Sequence, residues 1–326
     1  MTQRRTLLAA LLGSLLAAIA APAALAQQWP SKAVHIVVPA PAGSSLDIIA
    51  RLLSEKLKDR WGQAVVVDNK AGAGGMLGVD VAAKAPPDGY TIALGFNGPI
   101  AFAPFMYRKM PYDPGKDLIP VVMTTSQPNV LAVNANLPVK TTQEFLAWTK
   151  ERAGKMNYSS LGMGSSSHLT MELMLNETGL TGTHVPYNGS PPAALAVAQG
   201  DTDATFTTAP ALLNHVKAGK VRLLAVSAAQ VPESLKGLPT LADGGVKGVE
   251  SLAWNGLFVA AGTPEAIVQK INADVNTALA DAQIKSVMDA QGLTVVGGTQ
   301  ADFRKVVDAE MKRWGAVIQK IGLKLD

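Results

Sequence analysis

Short apolar and β-branched runs alternate along this chain with longer stretches in which apolar positions recur at helical spacing. The runs 33–38 (AVHIVV), 64–69 (AVVVDN), 90–95 (YTIALG), 129–134 (NVLAVN), 156–160 (MNYSS), 184–187 (HVPY), 204–208 (ATFTT), 221–227 (VRLLAVS) and 256–262 (GLFVAAG) read as strands. Most are continuously apolar, as expected of strands covered on both faces. Between them, residues 46–60 carry Ile49, Leu52, Leu53 and Leu57 on one side, and Ser44 and Asp47 stand at capping-box spacing at the start. Thr263-Pro264 opens another helix with Ile267, Ile271, Val275 and Leu279 on one stripe, and a terminal helix presents Phe303, Val307, Trp314 and Ile318. The alternation predicts an α/β fold with mostly parallel sheets.

The first 26 residues stand outside that alternation. Arg4 and Arg5 precede an apolar run over 7–20, and Ala24-Leu25-Ala26 offers a small-residue cleavage site before Gln27, the layout of a signal peptide. The run is shorter than the roughly 20 residues a membrane-spanning helix needs. The mature chain is therefore expected to be exported and soluble in the periplasm. Removing Arg4 and Arg5 lowers the formal net charge from +4 to +2. That balance argues against a nucleic-acid partner, whose basic charge would gather on one face. With no cysteine in the chain, disulfides and thiolate chemistry are excluded.

About 300 mature residues exceed one core of usual size and suggest two domains. No repeat, charge block or low-complexity linker marks a boundary, so the limits come from the strands. Residues 120–130 (PVVMTTSQPNV) read as a strand crossing between domains, with a return near 251–262. The expected organisation is a discontinuous first domain, 27–125 and 250–326, and a second domain, 126–249.

The loop LGMGSSSHLT (161–170) gathers glycines, serines and a histidine. A nucleophile elbow needs G-x-S-x-G, and the second glycine is missing here. No glycine pair is followed by the lysine of a phosphate-binding P-loop, and in Ala71–Gly78 Leu77 stands where a dinucleotide fingerprint needs its third glycine. The four histidines, His35, His168, His184 and His215, share no metal-binding spacing. No cofactor or metal is expected. What recurs is a strand running into a Gly/Ser/Asn-rich loop that opens a helix, over 39–47, 161–168 and 187–192, with Ser190 read as a cap and Pro191 as the first helical residue. Helix starts expose unpaired N–H groups and the positive end of a dipole, so each loop can seat an anion. Hydroxyls at Ser44, Ser45, Ser165, Ser166 and Ser167 add donors, and none of the three loops holds Arg or Lys. About six hydrogen bonds to an ionised acid at roughly 1.5 kcal/mol each would exceed the ~8 kcal/mol of micromolar binding. Ordering costs then require enclosure between two closing domains.

The segments WPSKAVHIVVPAPAGSSLDIIAR, VVVDNKAGAGGMLGVDVAAKAPPDGYTIALG, MPYDPGKDLIPV, GKMNYSSLGMGSSSHLTMELM, HVPYNGSPPA, HVKAGKVRLLAVS and WNGLFVAAGTPEAIVQKIN follow one another through the mature chain. In these the chain resembles the extracytoplasmic solute-binding receptors of the tripartite tricarboxylate transporter family, the Bug proteins. The resemblance implies a two-domain periplasmic binding protein of Venus-flytrap form that performs no catalysis. It would hold a small carboxylated compound between its domains, deliver it to integral membrane transporter subunits, and act as a monomer. Carried over to this chain, the first loop grips one carboxylate through Pro41, Ala42, Gly43, Ser44, Ser45 and Asp47, with bridging waters. Ser165, Ser166 and Ser167 contribute from the second domain, with further contacts from the regions of Asn97, Asn188 and Thr207. The family usually has glycine at Ser44, often a small polar residue at Leu46, a Lys or Arg at Asn188 and an Asp at Thr207. Losing an acid and a base together points to a ligand without an amino group.

Several roles stay open at this level. Asp47 either only favours the helix dipole or also faces the ligand, Trp254 lines the cleft or packs the hinge, and His168 starts a helix or touches the ligand. A receptor presenting its ligand to a signalling system, and a secreted esterase using Ser165 or Ser166, are the alternatives in function.

Overall fold

A computed structural model describes residues 29–325, so the export-signal reading of residues 1–26 lies outside the described residues. The chain begins with β1 (Val34–Val38), turns through 39–44 and enters α1 (Ser45–Trp61). The helix starts there because Ser44 is extended, at φ −74° and ψ 163°, with its Oγ accepting the Asp47 N–H at 3.3 Å. It stops at Gly62, whose φ of +63° suits a residue without a Cβ. Ile49, Leu53 and Leu57, spaced four apart, are fully buried along its inner stripe.

Next come β2 (Val65–Asn69), α2 (Met76–Ala83), β3 (Thr91–Phe96) and the short α3 (Ala103–Met106). β4 (Leu118–Pro128) runs on through the single residue Asn129 into β5 (Val130–Asn134). Then follow α4 (Thr142–Glu151), β6 (Asn157–Ser160), α5 (Ser166–Thr178), β7 (Thr183–Pro186) and α6 (Ser190–Gln199). After these come β8 (Ala204–Thr207), α7 (Ala209–Lys217) and β9 (Val221–Val226). The chain returns through β10 (Leu252–Ala260) to α8 (Glu265–Leu279), α9 (Ala282–Ala290), β11 (Thr294–Val295) and α10 (Gln300–Ile321).

The strands form two sheets, a six-stranded one in the order β11-β4-β10-β3-β1-β2 and a five-stranded one in the order β7-β6-β8-β5-β9. The α/β class and the two-part fold are as expected, but the sheets are mixed rather than mostly parallel. β1 pairs parallel with β2 and β3, and β6 with β7 and β8. All pairings of β4, β5 and β10, and that of β11, are antiparallel. The reason lies in the crossings: β4 and β10 carry the chain between the sheets in opposite directions and pair with each other from Leu118 to Pro128. Apolar patterning records that a strand is buried and does not record its direction.

One core packs α1 and α8 on the first sheet, with Ile36, Leu53, Ile271 and Val275 at its centre. A larger one runs from Phe102, Phe258, Phe303 and Trp314 through to Leu131, Phe145, Tyr158 and Met174, and so is shared by both sheets. A third covers the other face of the second sheet, around Val130, Val197 and Leu212. Trp254 belongs to the shared core, its ring centroid 5.5 Å from that of Phe303. Where the chain passes between sheets, Ser227 accepts the Asn129 N–H at 3.0 Å and donates through Oγ to Ser251 O at 2.5 Å, while Asn129 Nδ2 donates to Thr170 Oγ1 at 3.2 Å. Both crossings are thus tied to one buried polar knot. Among the described residues no helix is long and apolar enough to cross a membrane.

Candidate functional site

The end of β3 and the segments that follow β1, β2, β6 and β7 meet at one cleft. From the first sheet come Pro39, Ala40, Pro41, Ser44, Leu46, Ala71, Gly72, Gly74, Gly75 and Phe96, and from the second Leu161, Asn188, Gly189 and Ser190. None of these residues is ionisable. The two halves touch at two points of the rim. A Cβ on Gly189 would lie 2.5 Å from Pro41 Cδ, and a Cβ on Gly74 would lie 2.5 Å from Met163 O. Only glycine permits such an approach.

Two helix tips point into this space. At α1, Ser44 lines the cleft, and the amides of the first turn have no carbonyl to bond within the helix. The turn is held from behind: Asp47 Oδ2 accepts the Gly43 N–H at 3.0 Å and Asn69 Nδ2 donates to Ala40 O at 3.0 Å. Arg51 pairs with Asp47 at 2.9 Å. Burial works to raise the Asp47 carboxyl, but the Arg51 guanidinium and the Gly43 N–H outweigh it and hold it below the usual carboxylate range. The carboxylate is therefore ionised and turned back on its own loop. At α6 the cap is Gly189, at φ +115° and ψ 177°, and Ser190 is already helical, one residue earlier than the capping reading expects. Since Pro191 and Pro192 carry no N–H, the amide of Ser190 is the donor this tip offers.

The serine loop is arranged differently. Ser165 caps α5, its Oγ accepting the His168 N–H at 3.3 Å and donating to Gly162 O at 2.8 Å. Ser167 Oγ donates to Phe206 O, and Ser166 is 4 % exposed. Of this loop only Leu161 lines the cleft. Of the residues named from the sequence, Pro41, Ser44 and Asn188 line it, Ala42 and Gly43 are exposed beside it, and Ser45 and Asp47 are buried in the α1 turn. Asn97 is fully buried, its Nδ2 donating to Leu252 O at 3.1 Å, and Thr207 is fully buried at the end of β8. Sequence reasoning missed Phe96, Leu161 and the backbone of 71–75. The glycine cluster was the available signal, for glycines mark close backbone approach even where a nucleotide fingerprint fails.

His168 does not face a serine hydroxyl. Its Nδ1 accepts the Gly164 N–H at 3.1 Å, and its ring stacks on His184 with centroids 3.9 Å apart. The serine–histidine pair that does form is Ser160 Oγ with His184 Nε2 at 2.6 Å, and Ser160 is fully buried. Burial, together with the neighbouring His184, depresses His168 to about 3, and burial depresses His184 to about 4, so both rings are neutral near pH 7. Among the described residues no group of three His, Asp or Glu could hold a metal ion.

The sequence model of the tripartite tricarboxylate transporter family receptors matches residues 49–323. The protein BugT of Bordetella pertussis is 34% identical over 310 residues, covering 95% of each chain. Among solved structures, an R. palustris protein with adipate is 35% identical with a TM-score of 0.88, over 91% of this chain and 99% of that one. MatC from Rhodopseudomonas palustris with bound malate is 30% identical with a TM-score of 0.85, over 89% of this chain and 100% of that one. A family match across most of the chain, a full-length relative and the shared two-part fold agree: the chain belongs to the receptor family of the tripartite tricarboxylate transporters.

Proposed function

We propose that this protein is a periplasmic receptor that captures a small organic acid in the cleft between two domains and delivers it to the membrane components of a tripartite tricarboxylate-type transporter. The observation that carries this reading is a narrow cleft bordered by the α1 and α6 tips with no ionisable side chain among its lining residues. Uncharged donors at helix tips favour an anion, and relatives have been seen with adipate and with malate. The protein acts as a monomer, is exported by residues 1–26, and takes no nucleic acid. Its domains comprise 27–125 with 250–326, and 126–249, limits that fall close to Asn129 and Ser251, where the chain passes between sheets. It is not an enzyme: Ser165 is committed to capping and to Gly162 O, and the base nearest in sequence is turned to a backbone N–H.

Binding is tested by thermal shift with a panel of mono-, di- and tricarboxylates, on protein stripped of resident guest by unfolding and refolding. At least one acid should raise the melting temperature, by about 2.7 kcal/mol of stabilisation at a hundredfold excess over Kd. A protein indifferent to every organic anion would refute the reading.

A further inference from the structure

The cleft has a polar end and an apolar end. Its three polar side chains, Ser44, Asn188 and Ser190, all belong to the segments that meet where Pro41 touches Gly189. Toward the other contact, where Gly74 meets Gly162, the walls are Phe96 and Leu161. Phe96 does more than fill space there. A Cβ on Gly75 would lie 2.5 Å from Phe96 Cε1 and 2.7 Å from Cζ, so the ring presses on the residue that caps α2. A second carboxylate, reaching away from the α1 and α6 tips, finds little to bond there, because the Gly75 N–H is held by Gly72 O at 2.9 Å and the Met76 N–H by Ala73 O.

We infer that the guest carries a single carboxylate at the α1 and α6 tips and an apolar body against Phe96 and Leu161, and that Phe96 is the residue that refuses a second charged end. The inference rests on the carboxylate reading above and narrows it. A second carboxylate beside Phe96 would lose its water with no cationic side chain in the cleft lining to replace it, a loss larger than any apolar contact regained. Leu46, 5 % exposed in the first turn of α1, extends the apolar wall. The relative seen with adipate takes a diacid, and the two proteins should differ at this end.

Calorimetry with matched pairs, hexanoate against adipate and benzoate against terephthalate, tests this on the stripped wild-type protein. The monoacid should bind at least about tenfold more tightly in every pair that binds at all. A smaller preference, or a tighter diacid, overturns the inference while leaving the carboxylate reading intact. Binding of no member of either pair overturns the inference, and the thermal-shift panel then decides whether the broader reading falls with it. Phe96→Ser should reduce the ratio at least about tenfold by putting a hydroxyl donor in place of the apolar ring, and an unchanged ratio in the folded variant removes Phe96 from the role. Should Phe96→Ser not fold, Phe96→Thr carries the same comparison.

Discussion

The stacked pair His168 and His184 shows how much a single residue's surroundings decide. In sequence His168 stands beside three serines and could serve as a base; in the fold its ring lies 3.9 Å from another imidazole and accepts a backbone N–H. Its values and those of His184, about 3 and about 4, lie below the ordinary 6.5. The unfolded chain therefore takes up protons that the folded chain refuses as pH falls below about 6.5. Stability from the neutral pair is present above that pH and declines toward pH 4, at up to about 1.4 kcal/mol per pH unit for each ring. Urea denaturation across pH 7 to 4 should show this slope in the wild type and a shallower one in His168→Gln/His184→Gln. Equal slopes would contradict the assignment.

At the scale of elements, the glycine at the α6 cap is the sharpest point. Gly189 has φ +115° and no room for a Cβ against Pro41, so Gly189→Ala both strains the turn and holds the two loops apart. Acid affinity should fall by about tenfold or more while β7 and α6 still form, measured by calorimetry beside circular dichroism. Unchanged affinity would mean the contact is incidental to binding. Helices with strong local signals were legible in the sequence: Ser44 and Gly62 bound α1 within a residue of the expected limits, and the stripe Phe303, Val307, Trp314, Ile318 is buried as read. Strand direction was not, because β10 is as apolar as a parallel core strand yet runs antiparallel to β3 and β4. Of the third expected anion seat only Leu161 lines this cleft, for a related reason. Whether a helix start opens to a cleft or to the backbone of a neighbour depends on the strands beside it, and Ser167 spends its hydroxyl on Phe206 O of β8.

For the molecule as a whole, the account joins two sheets through paired crossings and places a neutral cleft at the ends of five strands. The continuous core shared by both sheets and the knot of Asn129, Ser227 and Ser251 tie the two crossings together. Phe96 and Leu161 could not have been assigned to the cleft from sequence, since only the folding of both halves brings them together. The central claim is that amides and hydroxyls at the α1 and α6 tips, and no charged side chain, hold an anion. The most direct measurement is calorimetry of the stripped protein with an acid that it binds and the primary amide of the same skeleton, at neutral pH. Charge-assisted hydrogen bonds are roughly twice as strong as neutral ones, so the acid should bind about a hundredfold more tightly than the amide. An amide that binds as tightly as its acid would contradict the account.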